Sequence, residues 1–142
     1  MHGENIMNTF ETITEEKAIE LLEAKKQESE ELLKNKDKVE ETLVKIEEKL
    51  RLIPATENNI SIAPVFISLI RDYIKGSYNV IPLESIITIL GSLLYLLSPI
   101  DFIPDAIPVL GLTDDVAVIA MCYKLVNSDI EKYEIWKREY EA

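Results

Sequence analysis

Between Glu15 and Ile53 the apolar positions fall on a seven-residue grid. One set of positions holds Ala18, Lys25, Leu32, Val39, Ile46 and Ile53, and the set four residues later holds Leu22, Ser29, Lys36, Leu43 and Leu50. Steps of three and four residues predict amphipathic helix. The second half of the grid is clean, with Val39, Leu43, Ile46, Leu50 and Ile53 in an unbroken seam, whereas Lys25, Ser29 and Lys36 interrupt the first half. Thr12 and Glu15 stand at capping-box spacing where the pattern begins. Neither Gly nor Pro interrupts the stretch, so either one long helix runs through it or two helices break near Asn35-Lys36-Asp37. The break is preferred, because Asp37 and Glu40 offer a second capping box. Pro54 stops the pattern, and Pro54–Ile60 reads as a linker.

Beyond the linker the chain becomes far more apolar. Pro64–Ile74 predicts a helix with Val65, Leu69, Phe66 and Tyr73 inward, ended by Gly76-Ser77. Pro82 suits the first turn of the next helix, which runs to about Leu97. Ser85–Ile100 carries no charge over 16 residues and is closed by Glu84 and Asp101. A membrane-spanning helix wants about 20 apolar residues, so this run predicts the buried central helix of a bundle, with Gly91-Ser92 allowing another helix close. The alternative is a membrane-embedded hairpin that also uses Ile100–Leu112 and Val116–Cys122. A further helix is expected from Thr113 or Asp114 to about Val126. Ser128-Asp129-Ile130-Glu131, a third capping box, is expected to open a last one. Ile130, Tyr133, Trp136 and Tyr140 share a face of that last helix, which predicts docking on the core.

The pattern as a whole predicts an all-α protein. It is a small helical bundle around a buried central helix (about residues 82–97), with a Pro/Asp-rich corner and an N-terminal amphipathic helical arm or hairpin. The expected organisation is a Glu/Lys-rich arm over 1–53, a linker over 54–60 and a helical core over 61–142 with a C-terminal aromatic helix.

Composition narrows the function. The net charge of −11 is shared between residues 1–50, with 14 acidic and 8 basic side chains, and residues 51–142, with 12 and 7. No basic patch appears, which argues against direct nucleic-acid binding, and anionic lipid surfaces are disfavoured for the same reason. The single cysteine, Cys122, lies in an apolar stretch, which excludes an intrachain disulfide or a cysteine zinc site and reads as a core residue. No secretory signal pattern opens the chain, so a cytoplasmic location is expected, with membrane association as a variant.

The run Tyr95–Asp115, YLLSPIDFIPDAIPVLGLTDD, concentrates the candidate chemistry. Pro99, Pro104 and Pro108 interrupt regular helix while Ile100, Phe102, Ile103 and Ile107 call for burial. A buried irregular segment must satisfy its backbone, and Ser98, Asp101 and Asp105 are suited to accept from free N–H groups. Thr113-Asp114-Asp115 after Gly111 reads in the same way, as a helix start with acids against the dipole. The functional alternative brings Asp101, Asp105, Asp114 and Asp115 together as oxygen ligands for Mg²⁺, Mn²⁺ or Ca²⁺. Structural capping is preferred. Catalysis is not expected, because no histidine beyond His2, no phosphate loop and no nearby Arg or Lys accompanies the carboxylates.

The pattern Tyr–x3–Pro–x–Asp–x–Ile–Pro–Asp–x2–Pro–x2–Gly–x2–Asp-Asp is met by Tyr95, Pro99, Asp101, Ile103, Pro104, Asp105, Pro108, Gly111, Asp114 and Asp115. In this it resembles the YkvA-like family of small, mostly helical bacterial domains of unknown function. The resemblance covers roughly residues 65–127 and implies a helical fold, no particular activity, and aspartates that matter to the family. Related copies in proteins with membrane-spanning segments strengthen the membrane alternative. The function expected is a non-enzymatic helical module that binds a protein partner or a second copy of itself through residues 1–53. A divalent-metal-binding domain and a membrane-associated hairpin are the alternatives.

Overall fold

The computed structural model of the chain describes residues 15–52, 62–97 and 108–141, and in the last stretch the side chains of 117–140. The described residues are all-α, with no strand among them. In chain order the helices are α1 (15–24), α2 (Lys26–Leu33), α3 (Lys36–Arg51), α4 (Ala63–Lys75), α5 (Leu83–Leu97) and α6 (Pro108–Glu141). The predicted central helix is α5, against which α2, α3, α4 and α6 all pack. Ile86, Ile89, Leu90 and Leu93 of α5 have no exposed surface, and Leu94, Tyr95 and Leu96 are buried with them. Enclosure by its neighbours explains why α5 carries no charge after Glu84 in its first turn.

Local chemistry sets the helix ends. Asn35 breaks the arm: its backbone is extended, and its side chain accepts from Lys38 N–H at 3.1 Å. The expected break is therefore present, but Asn35 is the cap and Asp37 lies in the first turn of α3. A second, gentler break falls at Lys25, whose carbonyl accepts from both Ser29 N–H and Ser29 Oγ at 2.9 Å. Side-chain back-bonding of this kind bends helices. Gly76 ends α4 at φ 82°, a left-handed conformation open to glycine at little cost. The Ser77 and Tyr78 N–H groups then return to the Asp72 carbonyl at 2.9 and 3.2 Å. Pro82 lies one residue outside α5, and its carbonyl accepts the first bonds from Ser85 and Ile86.

The C-terminal half differs from expectation. Instead of starting at Thr113 or Asp114, α6 begins at Pro108, and it runs to Glu141 across a kink. Proline needs no N–H partner at a helix start, so it opens the helix earlier than a threonine cap would. Asp114 and Asp115 therefore lie beyond the first turn, which holds no acid. The expected break survives as one non-helical residue, Val126 at φ −118° and ψ 16°. Beyond the kink, Asp129 of the Ser128 capping box accepts from Ser85 Oγ of α5 at 2.5 Å.

Val39, Leu43 and Ile46 of the α3 seam are fully buried in one core with Ala18, Leu22, Phe66, Leu69 and α5. At the closest crossing, a Cβ placed on Gly91 would stand 3.4 Å from Lys25 Cβ and 3.4 Å from Ser29 Oγ. Gly91 thus admits the bend between α1 and α2, and Ser29 has no exposed surface. Polar contacts hold the same arrangement at the rim. Arg71 of α4 forks to Glu40 and Glu47 of α3, with ion-pair distances of 2.7 Å to each. Lys49 donates to the Leu96 carbonyl near the C-terminal end of α5, where a cation meets the negative end of the dipole.

Candidate functional site

A buried polar assembly joins α4 to the outer half of α6. Ser68 and Asp72 lie one turn apart on α4, and Tyr133 and Lys137 lie one turn apart on α6, so each pair shares a face. Tyr133 donates its hydroxyl proton to Asp72 Oδ2 at 2.6 Å, and Lys137 Nζ donates to the same oxygen at 3.0 Å. With its proton committed, the Tyr133 oxygen is left to accept from Ser68 Oγ at 2.5 Å. Asp72 is an acid in the last turn of a helix, where the dipole opposes it, and its side chain is only 13% exposed. Two charge-assisted donors offset that burial.

Beside this assembly lies an open groove of about 590 Å³ lined by Pro64, Val65, Ser68, Tyr133, Glu134, Lys137 and Arg138. The Ser68 hydroxyl has for its neighbour a phenol that is itself donating, so nothing there takes its proton. On the other side of Tyr133 the rings of Tyr78, Trp136 and Tyr140 continue in contact, with centroids 4.8 to 5.1 Å apart for successive neighbours. The expected docking of the aromatic face is present for Ile130 and Tyr133, which are buried, while Tyr140 is exposed.

The residues singled out by sequence stand elsewhere. Asp101 and Asp105 lie outside the described residues. Asp114 and Asp115 belong to the α6 backbone, with side chains outside them too. Among the described residues no group of three or more His, Cys, Asp or Glu side chains is placed to hold a metal ion. Cys122 is buried between α5 and α6 with its sulfur 3.6 Å from the Thr88 carbonyl, and burial pushes its thiol up to about 12. It stays protonated and inert at neutral pH.

Sequence reasoning missed Ser68, Asp72 and Lys137. The available signal was Asp72 itself, an acid inside the apolar Val65–Ile74 pattern, four residues from a hydroxyl. Its partners are 61 and 65 residues away, so no local rule names them.

Comparison with known proteins bears on the centre of the bundle. A family described as Protein of unknown function (DUF1232) matches residues 85–121, which include most of α5 and the first part of α6. The chain is also similar to the Uncharacterized membrane protein YkvA of Bacillus subtilis (strain 168), with 32% identity over 72 residues, 51% of this chain and 68% of that protein. No solved structure matches. The signature residues, the helical architecture and this similarity agree, and the chain belongs to the YkvA-like family.

Proposed function

We propose that the protein is a non-enzymatic helical module that associates with a membrane surface while its bundle stays folded. The observation that carries this reading is the 72-residue similarity to a protein described as a membrane protein. The described helices suit surface contact. None is long and apolar enough to cross a membrane, and the charge-free face of α5 is already covered by its neighbours. A buried α5 also gives the hairpin alternative a cost, since inserting it would expose the core it organises. The test is flotation of the full chain with phosphatidylcholine vesicles. Recovery with the vesicles is expected, and protein that stays behind at every lipid concentration refutes the reading.

A second reading, self-association or partner binding through residues 1–53, draws support from Ile19, Val44 and Leu52, which remain exposed at 37%, 40% and 85% on the arm. It predicts a mass that rises with concentration. A strictly monomeric protein across a wide concentration range removes self-association.

A further inference from the structure

The aromatic rings around the outer half of α6 form an unbroken ladder. Tyr133 and Trp136 are stacked at 5.9 Å, and Trp136 and Tyr140 at 4.8 Å. Tyr78 closes against Trp136 at 4.9 Å and against Tyr133 at 5.1 Å, so every ring touches the next. The ladder runs from solvent to core: Tyr140 is 69% exposed, Trp136 is part-buried and Tyr133 is 2% exposed. Its inner end is chemically distinct. Among the described residues, Tyr133 is the one ring of the four whose hydroxyl meets a carboxylate, Asp72 Oδ2 at 2.6 Å.

The geometry points to a one-electron relay, in which an oxidising equivalent taken up at Trp136 from a diffusible one-electron oxidant is passed inward to Tyr133. Indole and phenol rings are readily oxidised by such reagents, and rings in contact exchange electrons readily. A phenol gives up an electron far more easily when a base takes its proton at the same time. The short, charge-assisted bond to Asp72 supplies that base. The oxidant gains one electron from Trp136, and Trp136 regains one from Tyr133. The Tyr133 proton crosses to Asp72 Oδ2, which leaves a neutral phenoxyl radical on Tyr133. Lys137, on the same oxygen at 3.0 Å, disfavours a protonated Asp72, so the proton returns when the radical is reduced. Burial keeps this phenoxyl from coupling with a second one, whereas a radical on Tyr140 is open to cross-linking. Tyr133 is thus the end of the relay.

Trp136 is the single tryptophan of the chain, so light at the red edge of the protein absorption excites it alone. Full-length protein is flashed in the presence of a cobalt(III) ammine complex, an irreversible one-electron acceptor, and transient absorption follows the tryptophanyl and tyrosyl radicals. In the parent the tryptophanyl signal should pass into a tyrosyl signal, and more slowly in deuterium oxide because a proton moves with the electron. Tyr133→Phe keeps the ring and its packing and should lose this conversion, while Tyr140→Phe should retain it. Asp72→Asn leaves the phenol without its base and should slow the conversion. Circular dichroism of each variant confirms that the signals come from folded protein. A tryptophanyl radical that decays in the parent without a tyrosyl signal overturns the inference. So does a conversion that survives Tyr133→Phe, because another ring is then the end of the relay. An unchanged rate in Asp72→Asn overturns it as well, because the proton then goes elsewhere.

Discussion

Tyr133→Phe tests whether the polar assembly holds the outer half of α6 to the bundle. The ring is 2% exposed and packs edge-on against Tyr78 at 5.1 Å, and phenylalanine keeps both features. What is lost is one oxygen with two contacts, the 2.6 Å bond to Asp72 and the 2.5 Å bond from Ser68. A hydrogen bond to a charged group contributes about 1.5–3 kcal/mol, and a part-buried acceptor that loses a partner adds its desolvation to the cost. Lys137 still neutralises Asp72 at 3.0 Å, and Ser68 can turn to the open groove, so the lower part of that range applies. The expected loss is about 2 kcal/mol, or roughly 4–8 °C in Tm for a chain of this size. Urea unfolding followed by Trp136 fluorescence and by far-ultraviolet circular dichroism measures it. If the two probes separate in the variant, with fluorescence moving first, the outer half of α6 opens before the rest. A change below about 0.5 kcal/mol on both probes refutes the reasoning, because the hydroxyl would then be no better placed than in water.

Three further outcomes follow from the packing and the charges. Gly91→Ala should be nearly neutral in a thermal melt, since its Cβ meets neighbours at ordinary contact distance, while Gly91→Leu should cost about 1–3 kcal/mol by forcing α1 and α2 off α5. Hydrogen bonding to Arg71 holds the Glu47 carboxyl below its ordinary value of 4.5, so its contribution to stability is present above that value and lost as pH falls through the lower folded one. Acid titration of Glu47→Gln should therefore show a shallower fall below about pH 4.5 than the parent, and an identical fall removes the assignment. Cys122 should resist a thiol reagent at neutral pH in the native state and react in urea, as its burial and its shift up to about 12 require.

How far the sequence revealed this molecule depended on the reach of each interaction. The charge-free run from Ser85 announced α5, and Gly76-Ser77 announced the end of α4, because burial all round and a left-handed backbone leave local traces. The break in the arm was visible too, although Asn35 took the capping position assigned to Asp37. The break expected ahead of Ser128 was legible as well and is present as the kink at Val126, but the partner of Asp129, Ser85 44 residues away, was not. Asp72 was hidden in the same way, since its importance comes from Tyr133 and Lys137. The four signature aspartates were conspicuous as residues, but conspicuous residues do not specify a geometry.

The interruptions in the N-terminal grid were the least intelligible part of the pattern and carry the clearest physical lesson. In a pair of identical helices, Lys25 and Ser29 on the seam would bring like charges together and leave a gap beside a small hydroxyl. Against α5 the same two residues meet Gly91, where a small group fits. The Lys25 stem lies along the crossing, and its ammonium reaches Glu28 at 3.2 Å. Ser29 satisfies its hydroxyl on the Lys25 carbonyl, so its complete burial leaves no polar group unpaired. Two of the three residues that make the first half of the arm a poor coiled coil, Lys25 and Ser29, are thus those that fit it to α5. The clean seam that follows, Val39, Leu43 and Ile46, then closes over the same core. Small residues facing one another explain the irregular half of the grid, and ordinary apolar burial explains the regular half.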